Sequence, residues 1–203
     1  MKTATSPVFD TTAEFSVSIR SGGQKTCRLR WPTDDEFCDR TRARKTVRRA
    51  SGRGQGSIEV TNAAEVDAEL FDKVRLDTDG PAFDEFEKSK ALARLERCEV
   101  IESELAGDEF HVTLAVPGGE TRHILRVPMQ KDVVEYGRQS VRVVDTGRRS
   151  QSINVALEPA GALYDKVMVK TEGYGGSVPI THKEAAIQEL LQSLREEDET
   201  GPL

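Results

Sequence analysis

The chain is written twice, and this constrains its fold more than any other feature. Glu14-Phe15-Ser16-Val17-Ser18-Ile19 recurs as Glu109-Phe110-His111-Val112-Thr113-Leu114, and each copy is followed by a glycine pair, Gly22-Gly23 and Gly118-Gly119. Leu29-Arg30-Trp31-Pro32 then matches Leu125-Arg126-Val127-Pro128, Ser57-Ile58-Glu59-Val60 matches Ser152-Ile153-Asn154-Val155, and Leu70-Phe71-Asp72-Lys73-Val74 matches Leu163-Tyr164-Asp165-Lys166-Val167. Lys88 and Leu95 find counterparts in Lys183 and Leu190. The blocks keep one order at a separation of about 93 to 96 residues, so chance would have to produce a whole collinear series. Two copies do not make a solenoid. They predict two similar α+β units, over residues 1–97 and 98–196, followed by an acidic disordered tail over 197–203.

Each unit reads as a β-hairpin followed by three helices. Apolar residues alternate with period two, Phe15, Val17 and Ile19 in the first copy and Phe110, Val112, Leu114 and Val116 in the second, which is the pattern of a half-buried hairpin. In the first copy a three-residue Ser21-Gly22-Gly23 loop sets Val17 against Cys27 and Phe15 against Leu29. In the second a two-residue Gly118-Gly119 loop sets Val116 against Thr121, Val112 against Leu125 and Phe110 against Val127. An extra strand at about Cys98–Leu105 makes the second sheet a three-stranded meander. Thr33 and Glu36 form a capping box, so a helix starts after Pro32 and carries Arg44, Lys45, Arg48 and Arg49 toward its end. Its counterpart spans about Met129–Arg142, although Val141, Val143 and Val144 also fit a strand. Short extended segments at 57–60 and 152–155 lead into helices at 62–76, capped by Asn62 with Glu65, and at 159–169. Helices at 82–97 and 181–196, the latter capped by Thr181 with Glu184, close the two units.

Of the 203 residues 32% are charged and 36% hydrophobic, and no apolar run approaches the roughly 20 residues that span a bilayer, so a soluble, cytoplasmic chain is expected. The net charge of -6 opposes a protein that coats nucleic acid as a whole. One local exception is the arginine-rich segment 40–53, where Arg44, Lys45, Arg48, Arg49 and Arg53 could meet phosphates. Cys27, Cys38 and Cys98 are odd in number and lack metal-ligand spacing, so buried thiols and no bound metal are expected. No nucleophile with its base, paired carboxylates or phosphate-binding glycine loop stands out. The reading is of a chain with no catalytic residues and no cofactor.

The run from the first hairpin through Leu29-Arg30-Trp31-Pro32-Thr33-Asp34-Asp35-Glu36 resembles the opening of tail assembly chaperones and related morphogenesis proteins of tailed bacteriophages and prophages. The second copy is similar in Leu125-Arg126-Val127-Pro128 but has Met129 in place of the threonine. The resemblance implies a non-enzymatic protein of the bacterial host cytoplasm or the virion, whose partners are other phage structural or tail proteins, or itself. Phe15, Arg30 and Trp31, with Phe110, Arg126 and Val127, are then the first candidates for a contact surface. Nucleic-acid association through segment 40–53 is the alternative.

Overall fold

The computed structural model describes residues 8–20, 24–44, 46–49, 58–77, 82–145, 149–154 and 157–200. In chain order these form β1 (Glu14–Arg20), β2 (Gln24–Arg30), α1 (Asp34–Ala43), β3 (Thr46–Arg49), β4 (Ile58–Thr61), α2 (Ala63–Val74) and α3 (Glu85–Leu95). The second half gives β5 (Glu99–Ala106), β6 (Glu109–Val116), β7 (Gly119–Arg126), α4 (Gln130–Gln139), β8 (Val141–Asp145), β9 (Arg149–Asn154), α5 (Leu157–Val167), β10 (Met168–Glu172) and α6 (Ile180–Thr200). The class is α+β; the first half runs hairpin, helix, hairpin, helix, helix, and the second has the same elements in that order with β5 added before them and β10 between the last two helices.

The recurrence reaches individual contacts. Arg30 donates to the Lys73 carbonyl (3.4 Å), and its match Arg126 donates to the Lys166 carbonyl (2.9 Å). Lys88 pairs with Asp72 at 2.6 Å and Lys183 with Asp165 at 2.7 Å. Arg75 bridges to Leu29 just after α2, where Met168 pairs with Leu125 just after α5.

The chain packs as two compact units. One comprises Glu14–Leu95 and Gly137–Ala156 and holds the lone tryptophan; the other comprises Met1–Ala13, Glu96–Tyr136 and Leu157–Leu203 and holds all three histidines and all three tyrosines. One boundary between the units falls at Leu95, and each unit also draws a segment from elsewhere in the chain. The hairpin β8–β9 joins the tryptophan unit because β9 lies antiparallel to β3, with Val47 opposite Gln151, in a sheet of order β4-β3-β9-β8. Residues before Glu14 join the histidine unit, where the backbone amides of Val8 and Phe9 donate to the Gly173 carbonyl.

In the tryptophan unit β1 and β2 form a two-stranded ribbon with Val17 opposite Cys27 and Phe15 opposite Leu29, the register that the three-residue loop requires. The loop itself, with Gly22-Gly23, lies outside the described residues. Val17, Ile19, Cys27 and Leu29 turn inward toward Leu70, Phe71 and Val74 of α2 and Ala91, Leu92 and Leu95 of α3, all buried. Each such large aliphatic or aromatic side chain contributes about 1.5–3 kcal/mol by leaving water. Thr33 caps α1 with the reciprocal Glu36 bond in place. The helix stops earlier than its charge pattern implies: Arg44 is already extended (ψ 122°), and Arg48 and Arg49 belong to strand β3, paired on both sides. β-Branched Thr46 and Val47 favour the strand. Lys45 and Arg53 lie outside the described residues. Asn62 does not cap α2 through its side chain, which donates instead to the Ala43 carbonyl (3.1 Å). An unforeseen box, Asp84 with Glu87, starts α3: each backbone amide donates to the other's carboxylate, at 3.0 and 2.8 Å.

In the histidine unit the order is β10-β7-β6-β5, four strands where three were expected. The helix placed over 159–169 gives way at Met168 to β10, which pairs with β7. The β6–β7 register also differs by two residues from the expected one: Val116 meets Gly119, Leu114 meets Thr121 and Phe110 meets Leu125. The turn is Pro117-Gly118, not Gly118-Gly119. Proline followed by a glycine at φ 101° is the residue pattern of a type II turn, and a shift of two leaves the inward face unchanged. Phe110, Val112 and Leu114 therefore still meet Leu163, Tyr164 and Val167 of α5 and Ala186, Ile187 and Leu190 of α6 in the core. Both edge strands carry a register shift, at Ile101 in β5 and at Val169 in β10. α4 ends at Gln139 and β8 begins at Val141, so the strand alternative holds there. α6 starts at Ile180, which puts Thr181 inside the first turn and excludes the Thr181–Glu184 box; the Pro179 carbonyl accepts the His182 and Lys183 amides instead. The helix continues to Thr200, through most of the segment expected to be a disordered tail. Among the described residues no helix is long and apolar enough to cross a membrane.

Candidate functional site

The Leu-Arg-x-Pro motif is a clamp between strand and helix. Leu29 is fully buried at the end of β2, Pro32 stops the ribbon, and Arg30 reaches forward to grip Glu36 with two nitrogens, at 2.8 and 2.6 Å. Glu36 also accepts from the Thr33 amide at 2.9 Å. The Arg30 guanidinium, assisted by that amide, holds the Glu36 carboxyl down to about 2, against the desolvation that opposes it. The clamp fixes the angle at which α1 leaves the ribbon and ties the Lys73 carbonyl at the end of α2 to the same arginine. In the histidine unit Arg126 repeats the grip on α5, and Lys166 turns toward α4, 3.6 Å from Asp132 and 3.1 Å from Glu135.

The six contact candidates divide accordingly. Trp31 is buried between Phe15 (ring centroids 5.7 Å) and Phe37 (5.8 Å), and Phe110 has no exposed surface, so neither can anchor a partner. Both residues sit on the inward face that the alternation itself defines. Phe15, Arg30 and Val127 are half-buried and Arg126 is exposed, so these four reach the surface.

The arginines of α1 turn back on their own chain. Arg44 donates to buried Asp67, Arg40 lies 3.9 Å from the same carboxylate, and Ser89 donates to its other oxygen at 2.7 Å. Arg42 pairs with Asp39 at 3.1 Å. β3 then puts Arg49 directly opposite Arg149 of β9 in the register.

The most ordered polar chemistry was not foreseen from the sequence. His123 on β7 and His182 on α6 are fully buried, and the Tyr174 hydroxyl lies 3.0 Å from each of His123 Nε2, His182 Nδ1 and Thr121 Oγ1. His123 Nδ1 meets the Tyr164 hydroxyl at 2.7 Å. Phe9 closes the cluster, its ring 4.8 Å from that of His182. Burial pushes His123 down to about 4, and burial together with His123 pushes His182 down to about 3, so both imidazoles are neutral at pH 7. Burial raises the Tyr164 and Tyr174 hydroxyls well above their ordinary value. The cluster is a core network in which the Tyr164 and Tyr174 hydroxyls engage both ring nitrogens of His123 and Nδ1 of His182. One signal was present in the sequence: Thr121 and His123 alternate with Leu125 on the apolar face of β7, where a polar group needs a buried partner.

On the opposite face of that sheet an open cup of about 150 Å³ is lined by Glu102, Glu104, His111, Thr113 and Arg122. Arg122 donates to His111 Nδ1 at 3.2 Å, which leaves the imidazole proton on Nε2, 3.4 Å from Glu109. The cup is polar, with carboxylates on its β5 side. Cys27 and Cys38 are buried and Cys98 half-buried, all as free thiols whose pKa burial raises, Cys98 to about 12. Such thiols are protonated and unreactive at neutral pH.

Comparison with family models, with curated proteins and with solved structures gives no match in any of the three.

Proposed function

We propose that this chain is a non-enzymatic morphogenesis protein of a tailed phage or prophage, descended from one unit by tandem duplication and acting through protein contacts. The observation that carries the reading is the form taken by the motif that bears the resemblance. Leu29-Arg30-Trp31-Pro32-Thr33 ends an apolar hairpin and locks a capped helix to it through Arg30 and Glu36, and in the other copy Arg126 keeps the second half of that clamp, the bond to the lysine carbonyl at the end of the following helix. A rigid hairpin–helix corner presents surface; it does not converge on a reacting group. The site of action is the bacterial cytoplasm, with retention in the virion as the further possibility. Deleting the gene from the phage or prophage that carries it, and imaging the induced particles by electron microscopy, tests the reading. Heads without tails, rescued by the wild-type gene in trans, are expected; normal tailed particles overturn it.

One observation favours nucleic-acid association as a second reading: the register that sets Arg49 against Arg149, beside Arg48, concentrates positive charge on one sheet. A salt titration of DNA binding tests it. Binding that falls steeply with ionic strength and vanishes in the Arg48→Ala/Arg49→Ala/Arg53→Ala triple variant would displace the morphogenesis reading.

A further inference from the structure

We infer that the outer edge of β1 accepts an extended strand from a protein partner, a strand that alternates apolar with acidic residues. The inference deepens the protein-binding reading and rests on it. Among the described residues β2 is the one strand paired with β1, which runs seven residues without a register shift or a proline. Its counterpart β6 is not left in this state. There β5 covers the corresponding edge, pairing Leu105 with Phe110, Ser103 with Val112 and Val100 with Leu114. The residues that would cover β1 in the same way, those just before Glu14, run to Gly173 in the other unit instead.

The two units also treat their edges differently. In the histidine unit both outer strands are bulged, at Ile101 and at Val169, and bulges hinder strand addition. β1 has no such device. Its one visible blunting is the Arg94 side chain, which donates to the Ser18 carbonyl.

Charge selects the occupant. The matches Phe15/Phe110, Val17/Val112 and Ile19/Leu114 carry the β5 register onto β1. A strand seated there as β5 is seated on β6 puts a leucine beside Phe15 and carboxylates, at the positions of Glu104, Glu102 and Glu99, beside Ser16, Ser18 and Arg20. Two of these places are basic here, with Arg94 on the Ser18 carbonyl and Arg20 exposed at the strand end, while Arg28 on β2 pairs with Glu14 at 3.3 Å. An acidic-apolar strand meets a cation at two of its carboxylates, whereas a basic one meets like charge at both places.

The probe is the capped peptide Glu-Val-Ile-Glu-Ser-Glu-Leu-Ala, the sequence of β5, added to the full-length protein with residue-level amide exchange as the readout. Slower exchange at alternate amides of β1 is expected, with no effect from a peptide N-methylated at alternate residues. Arg20→Glu should weaken binding about five-fold, the scale of a cross-strand charge pair, with Trp31 emission unchanged. Three results overturn the inference: β1 amides already as protected as those of β6 in the free protein, protection by the peptide confined to the histidine unit, or no binding. Any of these removes the edge assignment and leaves the particle phenotype to decide the broader reading.

Discussion

Acid should loosen one unit of this protein well before the other, because both buried histidines lie in the same unit. An ordinary histidine titrates near 6.5, whereas burial takes His123 to about 4 and His182 to about 3. A base whose folded pKa is depressed binds its proton more readily when unfolded. The stability of the neutral form is therefore complete above about pH 6.5 and is lost as pH falls from there toward the folded values. At pH 5 each unfolded imidazole is almost fully protonated and each folded one is not, a difference of about 2 kcal/mol per histidine and about 4 kcal/mol for the pair. That is a large fraction of the ordinary stability of a domain. Near-ultraviolet dichroism of Tyr136, Tyr164 and Tyr174 follows the histidine unit, and Trp31 fluorescence follows the other. In urea at about 1–3 kcal/mol per molar, the tyrosine midpoint should fall by about 2 M between pH 8 and pH 5 while the tryptophan midpoint moves little. If both probes shift together, the units unfold as one, and the His123→Gln/His182→Gln variant decides. Its midpoint should show only a small residual pH dependence over that range. A wild-type tyrosine midpoint that is flat between pH 8 and pH 5, or a drop that persists in the double variant, would refute the burial argument.

Glu36 works in the opposite sense and at lower pH. Its folded value of about 2 against an ordinary 4.5 supplies stability above pH 4.5 that is lost as pH falls toward 2, so Glu36→Gln should cost about 2 kcal/mol at pH 7 and almost nothing at pH 2, read by Trp31 fluorescence. Thr181→Val should raise stability by about 1 kcal/mol in thermal denaturation, because the Thr181 hydroxyl is buried with no hydrogen-bond partner among the described residues. Gly119→Ala should destabilise the histidine unit by about 1–3 kcal/mol, since a Cβ there would stand 2.6 Å from Val8 Cγ1 at a φ of 151°. Val8→Ala should restore part of that loss in the double variant; no rescue would show that the backbone, not the clash, sets the cost.

Period-two alternation and turn chemistry decided which parts of the fold could be read from the sequence. The β1–β2 register followed from three residues between two apolar runs, a local geometric constraint. For β6–β7 the glycine pair points to one register and Pro117-Gly118 to the observed one, and proline with its fixed φ is the stronger turn signal. β3 was hidden by its arginines, which suit a helix end as well as an edge, and only pairing with β4 and β9 makes it a strand. Such pairing is non-local and leaves no period in four residues. The candidate contact residues were chosen by type, and type does not separate an anchor from a core residue: Trp31 and Phe110 lie on the buried side of their own alternation. The histidine cluster joins positions 121, 123, 164, 174 and 182, four separate segments that only the packed sheet and helices bring together.

The path of the chain through the two units also sets the order in which synthesis can complete them. β3 lies between β4 and β9, and β9 ends at Asn154, so the ribosome must pass residue 154 before that strand has both neighbours. Residues 14–95 therefore emerge with an unfilled place at β3, and a transcript cut after Leu95 encodes two fragments that each lack a segment the other supplies.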